Sequence, residues 1–397
     1  LRPLTWLRPA GDLLMGGRTN AERWEEPDSR PVSVLCRPEI ASLDPKRRRA
    51  GIPAEPRTRL WVRDRWIPDR AMIDDAVSEG APKAWLKDGV IVAARCEVSP
   101  PAGETPGNDP FWAALAEGCP RVEPAGGAWI GGLADLVAES AARIEGDLER
   151  DLARMAPPQD FGDGAAYAPG RIRLGKGCQV DHFALLDARE GAIVLGPGTR
   201  VFPHTWIRGP FGCRENCLLL GGRIGGGSYF GPGCRVRGEV EASIFHGFDN
   251  KAHDGFVGHS YLGEWVNLGA MTTTSDLKNN YAPVRLQAYG EQVGTGQRKI
   301  GSFIGDHVKT RIGSLLCTGS VIGLASNLFG ETTLFPKWVP DFLWGVGADA
   351  EEYDLERCLR TAATVLERRG HVLSDDLRRA FEIAFLATGA DRDGARA

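Results

Sequence analysis

The stretch Asn250–Tyr281, reading NKAHDGFVGHSYLGEWVNLGAMTTTSDLKNNY, concentrates the residues best suited to chemistry. It holds His253 and His259, two of the seven histidines in a chain of 397 residues. Lysines lie near each end (Lys251, Lys278), and asparagines stand at Asn250, Asn267, Asn279 and Asn280. An imidazole titrates near neutral pH, so either histidine suits general acid–base work. The bland alternative is a polar side chain on an outer face. Asparagines, likewise, ladder along the corners of coiled β-structure to satisfy backbone groups. Almost no helical periodicity runs through the stretch.

The elements that must position these residues repeat every six positions. Leu174, Val180, Leu186 and Ala192 form one run; Val201, Ile207, Cys213 and Leu219 a second; Ile224, Phe230, Val236 and Ala242 a third. Phe256, Leu262, Leu268 and Thr274 form a fourth, and Ile304, Thr310, Leu316, Ile322 and Leu328 a fifth. A period of six with recurrent glycine is the hexapeptide signature of a parallel β-helix, in the left-handed form that escapes the usual crossover rule. Each coil is a triangle of short strands, one aliphatic per side points inward, and glycine gives the corners their freedom. A β-sandwich would alternate with period two instead. Ser275–Lys299 interrupts the coil. An excursion of that length in a regular coil is usually functional.

After Leu328 the run FGETTLFPKWVPDFLWG has no coil period and is expected to cover the open end of the prism. Glu351–Arg369 and Asp375–Leu386 read as amphipathic helices, the second capped near Ser374. Ahead of the coil, Leu133–Met155 carries apolar residues at helical spacing and ends at Pro157-Pro158, as a connecting helix would. Residues 1–130 read as an α/β layer domain. Strands are expected at Leu60–Val62 and Val90–Ala93, with a helix from Asp109 to Ala116. The organisation is therefore an α/β domain (1–130), a connecting helix and linker (131–170), a β-helix (171–345) and a helical tail (346–397).

Composition excludes several classes. A formal net charge of -4 gives no global field for nucleic acid or anionic membrane. No segment reaches the length of a membrane span, and the first residues lack the basic–apolar–small order expected of a signal peptide. Nine cysteines without a CxxC pair read as small core residues in a reducing cytoplasm; Cys213 and Cys217 have no partner pair at zinc spacing. The basic run Pro45–Arg49 reads as a solvated loop. The chain opens on Leu1, not Met, which leaves room for a missing first strand.

The strings NKAHDG, SYLGEWVNLGA, SDLKNNY, GDHVKT, TGSVIG, NLFG and PKWVPDFLWG, with LRPLTWLRP and RTNAERWE near the start, resemble the GlmU-like family. That family is related to the bacterial bifunctional N-acetylglucosamine-1-phosphate uridyltransferase and glucosamine-1-phosphate N-acetyltransferase. The resemblance implies a degenerate nucleotidyltransferase-like front domain, a left-handed β-helix acyltransferase and a cytoplasmic homotrimer with sites between prisms. It implies acetyl-CoA as a substrate, an amino-sugar 1-phosphate acceptor, and Mg²⁺ only where the front half is active. The pathway implied is UDP-N-acetylglucosamine biosynthesis.

Within the resemblance, the parent pattern is a histidine fourteen residues before the Asn of a VNIGAG segment. His253 stands at that distance from Asn267, so the spacing selects His253 as general base and passes over His259. Asn267, Asn279, Asn280 and Tyr281 are implied to hold the sugar and thioester region. Lys251, Lys278 and Arg223 are candidates for the sugar phosphate. The Ala270 N–H is a candidate oxyanion donor, and Ala270 and Thr310 are the candidates for the acyl-CoA side.

Three departures stand out. Met271 replaces a glycine and would crowd the pantetheine groove, Asp276 replaces an Asn, and the two-lysine phosphate segment has no match around Val240–Phe245. In the front half Met15-Gly16-Gly17-Arg18-Thr19 is the nearest string to a phosphate loop, with the wrong spacing. Arg8, Arg18 and Arg23 remain available to a phosphate. The competing readings are a nucleotide-sugar-binding scaffold, or a nucleotidyltransferase, whose coil only trimerises.

Overall fold

In the computed structural model, between Ile172 and Val339, the chain winds as a parallel β-solenoid. The structure describes residues 1–25, 32–44, 48–49, 59–78, 80–96, 109–158 and 160–396. One face of the solenoid is a nine-stranded sheet. Its order is Ile172–Leu174, Ile193–Leu195, Phe211–Cys213, Ser228–Phe230, Ile244–Gly247, Tyr261–Glu264, Ser302–Ile304, Ser320–Ile322 and Trp338–Val339. Leu195, Cys213, Phe230, Phe245, Leu262, Ile304, Ile322 and Val339 share one register and are buried. Each such aliphatic or aromatic contributes about 1.5–3 kcal/mol on burial.

The six-residue phase holds through Val236 and then slips. Ala242 is half-buried at a corner with φ 45, and Val240 takes the interior place. Phe256 pairs with Glu239 outside the core, while Val257, register partner of Val240, points in. The cause is a shortened coil. Phe230 and its register partner Phe245 are fifteen residues apart, whereas Ile304 and Ile322 are eighteen apart. The residues are saved at a tight corner, where Gly221, Gly222 and Gly238 have φ 115, 101 and 90. A Cβ on Gly222 would lie 2.3 Å from the Gly238 carbonyl oxygen.

Four further expectations change. The aromatic run after Leu328 is not a separate cap. Leu334–Phe335, Trp338–Val339 and Leu343–Trp344 pair in parallel with the coil before them, and Glu351–Glu352 closes the stack in antiparallel. The helix expected over 133–155 is two, Leu133–Ala138 and Ser140–Arg154, because the Ser140 hydroxyl bonds the Leu136 carbonyl at the break. The first tail helix starts later, at Leu355, where Asp354 caps it, and ends at Glu367. Ser374 caps Asp375–Ala387, and a third helix, Gly389–Arg396, follows.

The first unit comprises Leu1–Leu7, Leu14–Gly17 and Gly132–Ala397, and the second comprises Arg8–Leu13 and Arg18–Gly131. The second unit is built on a four-stranded sheet ordered Arg59–Val62, Val90–Cys96, Lys83–Lys87, Arg121–Val122. The strands expected at Leu60–Val62 and Val90–Ala93 lie within it. Trp66, Met72, Ile73, Trp85 and Val92 fill one side; Phe111, Trp112 and Leu115 of the helix Asp109–Leu115 pack on Ala84, Ile91 and Ala94. Of the basic run, residues 45–47 lie outside the described residues, and Arg48–Arg49 pair with Val34–Leu35.

Lys251 occupies an interior position, in register with Val236. It is 2% exposed, and its Nζ donates to the carbonyls of Arg237 (2.7 Å) and His253 (2.9 Å). Burial pulls its pKa down to about 8. The folded state therefore sheds this proton before the unfolded chain does, and the contribution to stability rises with pH between about 8 and 10.5. Buried thiols such as Cys213 and Cys217 act in the opposite sense, their pKa values being raised. The difference between wild type and Lys251→Met isolates the lysine. Denaturant titrations should show wild type gaining up to about 3 kcal/mol on the variant between pH 7 and 10.5. A constant difference across that range would refute a depressed Lys251.

Candidate active site at the solenoid corners

His259 follows the strand Phe256–Gly258 and turns a corner with φ 46. Its Nδ1 lies 2.7 Å from Oδ2 of Asp276, one coil further on. Both side chains are largely buried, at 17% and 14% exposure. Burial by itself raises the Asp276 pKa, but the hydrogen bond and charge of His259, with Lys299, outweigh it and hold the carboxyl below its ordinary value. A ring that donates from Nδ1 to a carboxylate presents Nε2 as an acceptor. Glycine is required beside the pair: a Cβ on Gly258 would lie 2.7 Å from Asp276 Oδ2.

The long excursion leaves from this corner and returns to it. Asp276 O accepts from Ile300 N at 2.9 Å, His259 O accepts from Gly301 N at 2.8 Å, and Leu277 bridges Lys299. Between them stands an antiparallel hairpin, Arg285–Ala288 with Glu291–Gly294. Lys278, Asn279, Asn280 and Tyr281 follow Asp276 directly. Lys278 Nζ donates to the Pro283 carbonyl at 2.8 Å, and Asn280 Oδ1 accepts from Ala282 N at 3.1 Å. Asn279 is exposed, as is the Tyr281 ring.

A second group gathers at the corner on the other side of Phe256–Gly258. His253 is exposed there. Asp254 O accepts from Met271 N (2.9 Å) and Ala270 O from Gly313 N (2.8 Å), so these residues stack coil upon coil. Met271 is 59% exposed with φ 62. Lys251 reaches the same corner from inside, through the His253 carbonyl. His253 and His259 thus flank the strand Phe256–Gly258 from either side, six residues apart along the chain and at most about 20 Å in span.

The remaining sequence candidates lie elsewhere. Asn250 Nδ2 donates to Asn267 Oδ1 at 2.8 Å, a ladder between coils. Thr310 is buried, its hydroxyl 2.7 Å from that of Thr272 and accepting from Gly269 N at 2.9 Å. Arg223 pairs with Glu239 on an outer face. The Gly17 N–H, which a phosphate loop would leave for its ligand, donates to Asp147 at 3.0 Å. Arg8 and Arg23 are buried in the second unit. Among the described residues no three His, Cys, Asp or Glu side chains gather to hold a metal ion, so no step is assigned to Mg²⁺. Among them, too, no helix is long and apolar enough to cross a membrane.

The sequence reading treated Asp276 only as a departure from Asn. The signal was present: His259 and Asp276 are seventeen residues apart, the same offset that stacks Asn250 on Asn267.

Residues 1–153 match the family model described as sugar nucleotidyl transferase. A bifunctional sugar-1-phosphate nucleotidylyltransferase/acetyltransferase of Sulfurisphaera tokodaii is 33% identical over 91 residues, 23% of this chain and 23% of that protein. The bifunctional protein GlmU of Methanococcus vannielii is 34% identical over 99 residues, 25% of this chain and 23% of its own length. That of Thermus thermophilus is 25% identical over 162 residues, 37% and 31%. The chain therefore spans under a third of the length of these relatives. A solved Bacillus cereus chain provisionally assigned as an acetyltransferase shares 10% identity over 57% of this chain and 99% of that one, with a TM-score of 0.21, and carries no argument.

Two stability outcomes follow. Asp276 contributes above its unfolded pKa near 3.8 and loses that contribution as pH falls through its lower folded value. Asp276→Asn should therefore lower the melting temperature at pH 7, by an amount that shrinks as pH falls below 3.8; an equal loss throughout would refute the ionised pair. Met271→Gly should stabilise by about 1 kcal/mol, since a left-handed backbone costs a side-chain-bearing residue 1–2 kcal/mol. Calorimetry reads the change, and a destabilised variant would show that Met271 packs usefully.

Proposed function

We propose that this GlmU-like chain transfers an acetyl group from acetyl-CoA to the amine of an amino-sugar 1-phosphate of the glucosamine 1-phosphate type. Its front half would carry the linked nucleotidyl transfer to a UDP-sugar. The observation that carries the reading is the His259–Asp276 pair at the root of the 275–301 excursion.

The chemistry follows from the pair. Asp276 holds Nδ1–H and leaves the Nε2 lone pair to take the proton that the neutral substrate amine loses as it attacks. The amine nitrogen attacks the thioester carbonyl, and the C–N bond forms as the carbonyl π electrons move to oxygen. Collapse breaks the C–S bond, and the imidazolium returns its proton to the departing thiolate. Lys278, Asn279, Asn280 and Tyr281 lie next along the chain from Asp276, and suit the phosphate and hydroxyls of the acceptor.

This reading moves the base from His253 to His259. Among the described residues His253 has no carboxylate partner comparable to Asp276, and it stands near Ala270 and Met271 at a different corner. A backbone donor at Ala270 and a base at His259 meet in one site only where a second copy of the prism supplies one of the two corners. A homotrimer answers that need.

The test is an acetyl-CoA turnover assay with glucosamine 1-phosphate on wild type, His259→Ala and His253→Ala. His259→Ala should lower kcat by about 10²–10⁴-fold, the usual worth of a general base, with His253→Ala within about threefold of wild type. The reverse order would restore His253 as the base. Nucleotide-sugar binding by calorimetry without any acetyl-CoA turnover would favour a scaffold, and pyrophosphate release alone a pure nucleotidyltransferase.

A further inference from the structure

The excursion that carries Lys278–Tyr281 is anchored at its far end as well as its root. Tyr289 sits at the turn of the hairpin with φ 51. Its hydroxyl donates to Asp341 Oδ2 at 2.8 Å, and its ring lies 4.5 Å from that of Trp338. Asp341 is fully buried, and its other oxygen accepts from Leu324 N at 2.6 Å, so the anchor point belongs to the rigid last coil.

The start of the chain closes over the same hydroxyl. Trp6 Nε1 donates to the Tyr289 oxygen at 3.4 Å. The Arg2 guanidinium stands 4.3 Å over the Trp6 ring and 5.8 Å from the Tyr289 ring. Leu4, Trp6 and Leu7 are buried. The hairpin needs such an anchor. A two-stranded ribbon alone is marginal in water. Val284 and Leu286 pack against the coil beside Gly319, but every residue of Glu291–Gly294 is exposed.

We propose that Leu1–Leu7 is a strap that fixes the hairpin tip on Asp341 through Trp6 and Tyr289, and thereby positions Lys278–Tyr281 beside His259. The positioning half rests on acyl transfer at His259; the strap itself does not. Tyr289, Trp6 and Asp341 are positioning residues, acting through the excursion and touching no substrate.

Hydrogen exchange of the full-length protein decides the strap, and steady-state kinetics with acetyl-CoA and glucosamine 1-phosphate decide its consequence. Tyr289→Phe removes one hydroxyl and keeps the ring on Trp338; Trp6→Phe removes the second partner. Both should raise exchange of peptides within 282–299 about tenfold, with the core strand Ser302–Ile304 unchanged as an internal control of folding. Both should raise KM for the sugar phosphate roughly tenfold with kcat within about twofold, the pattern of lost substrate positioning. Hairpin exchange equal to wild type in both variants overturns the strap. Faster exchange with an unchanged KM overturns its positioning role. A wild type that turns over no acetyl-CoA sinks the acyl-transfer reading, while the exchange result still decides the strap.

Discussion

A triangular coil must turn three corners in about seventeen residues, and a corner that tight holds the chain at positive φ. For any residue with a Cβ that conformation costs about 1–2 kcal/mol, which is why glycine is the usual occupant. One corner shows how this protein departs from the rule. Its first coils turn on Gly177, Gly198, Asn216 and Gly233. The later coils place Phe248, Trp265, His307, Ala325 and Phe342 there, with φ between 56 and 64. These rings are what the C-terminal segment packs against. Phe248 and Trp265 stack at 4.3 Å and both meet His371; Phe381 meets His307, and Phe385 meets Phe342. Apolar burial against the tail offsets the backbone cost, so the bulky corners mark where the helices dock.

The same constraint governs the buried polar groups. Near the corner that bears His259, Ser228, Ser243, Ser260 and Ser302 are all fully buried. The first three hydroxyls each accept the backbone N–H of the next serine, at 3.3, 3.1 and 2.9 Å in turn. Asp306 and Asp341 do the same from another file, accepting Glu264 N and Leu324 N at 2.6 Å. Corners leave N–H groups that strand pairing does not reach, and a buried group of that kind must find an acceptor. Short polar side chains supply it. The His259–Asp276 pair stands at such a corner, beside an arrangement that the scaffold repeats for stability.

That shared logic explains what was legible in the sequence and what was not. The six-residue phase located the faces, since one inward aliphatic per side is a constraint on side-chain type. It failed between Val236 and Val257 because coil length is set by backbone turns at Gly221, Gly222 and Gly238, whose consequences lie in φ rather than in hydrophobicity. The front domain gave up its strands and its helix at Asp109 to the same kind of pattern reading. A count along the chain selected His253, whereas the stacking of coils brings His259 to Asp276. Fourteen residues from His253 to Asn267 has geometric meaning only when coils have a constant length. Here register partners on successive coils lie between fifteen and twenty-one residues apart, the excursion aside. An offset between coils, by contrast, survives: seventeen residues stack Asn267 on Asn250 and Asp276 beside His259.

The location of the excursion is itself constrained. Leu262 pairs directly with Ile304, so the sheet passes from one coil to the next as though the intervening hairpin were absent. The return is possible only through Gly301, where a Cβ would lie 2.0 Å from the Gly258 carbonyl oxygen and 2.2 Å from the Ser260 hydroxyl. The solenoid can therefore keep its core continuous while the excursion varies. The excursion in turn borrows rigidity from the coil at both ends, at His259–Asp276 and at Asp341. A segment with little core of its own holds polar groups in place only if its ends are fixed independently of its middle. The residues between Asp276 and Tyr289 lie between those two anchors, with Val284 and Leu286 buried against the coil beside Gly319.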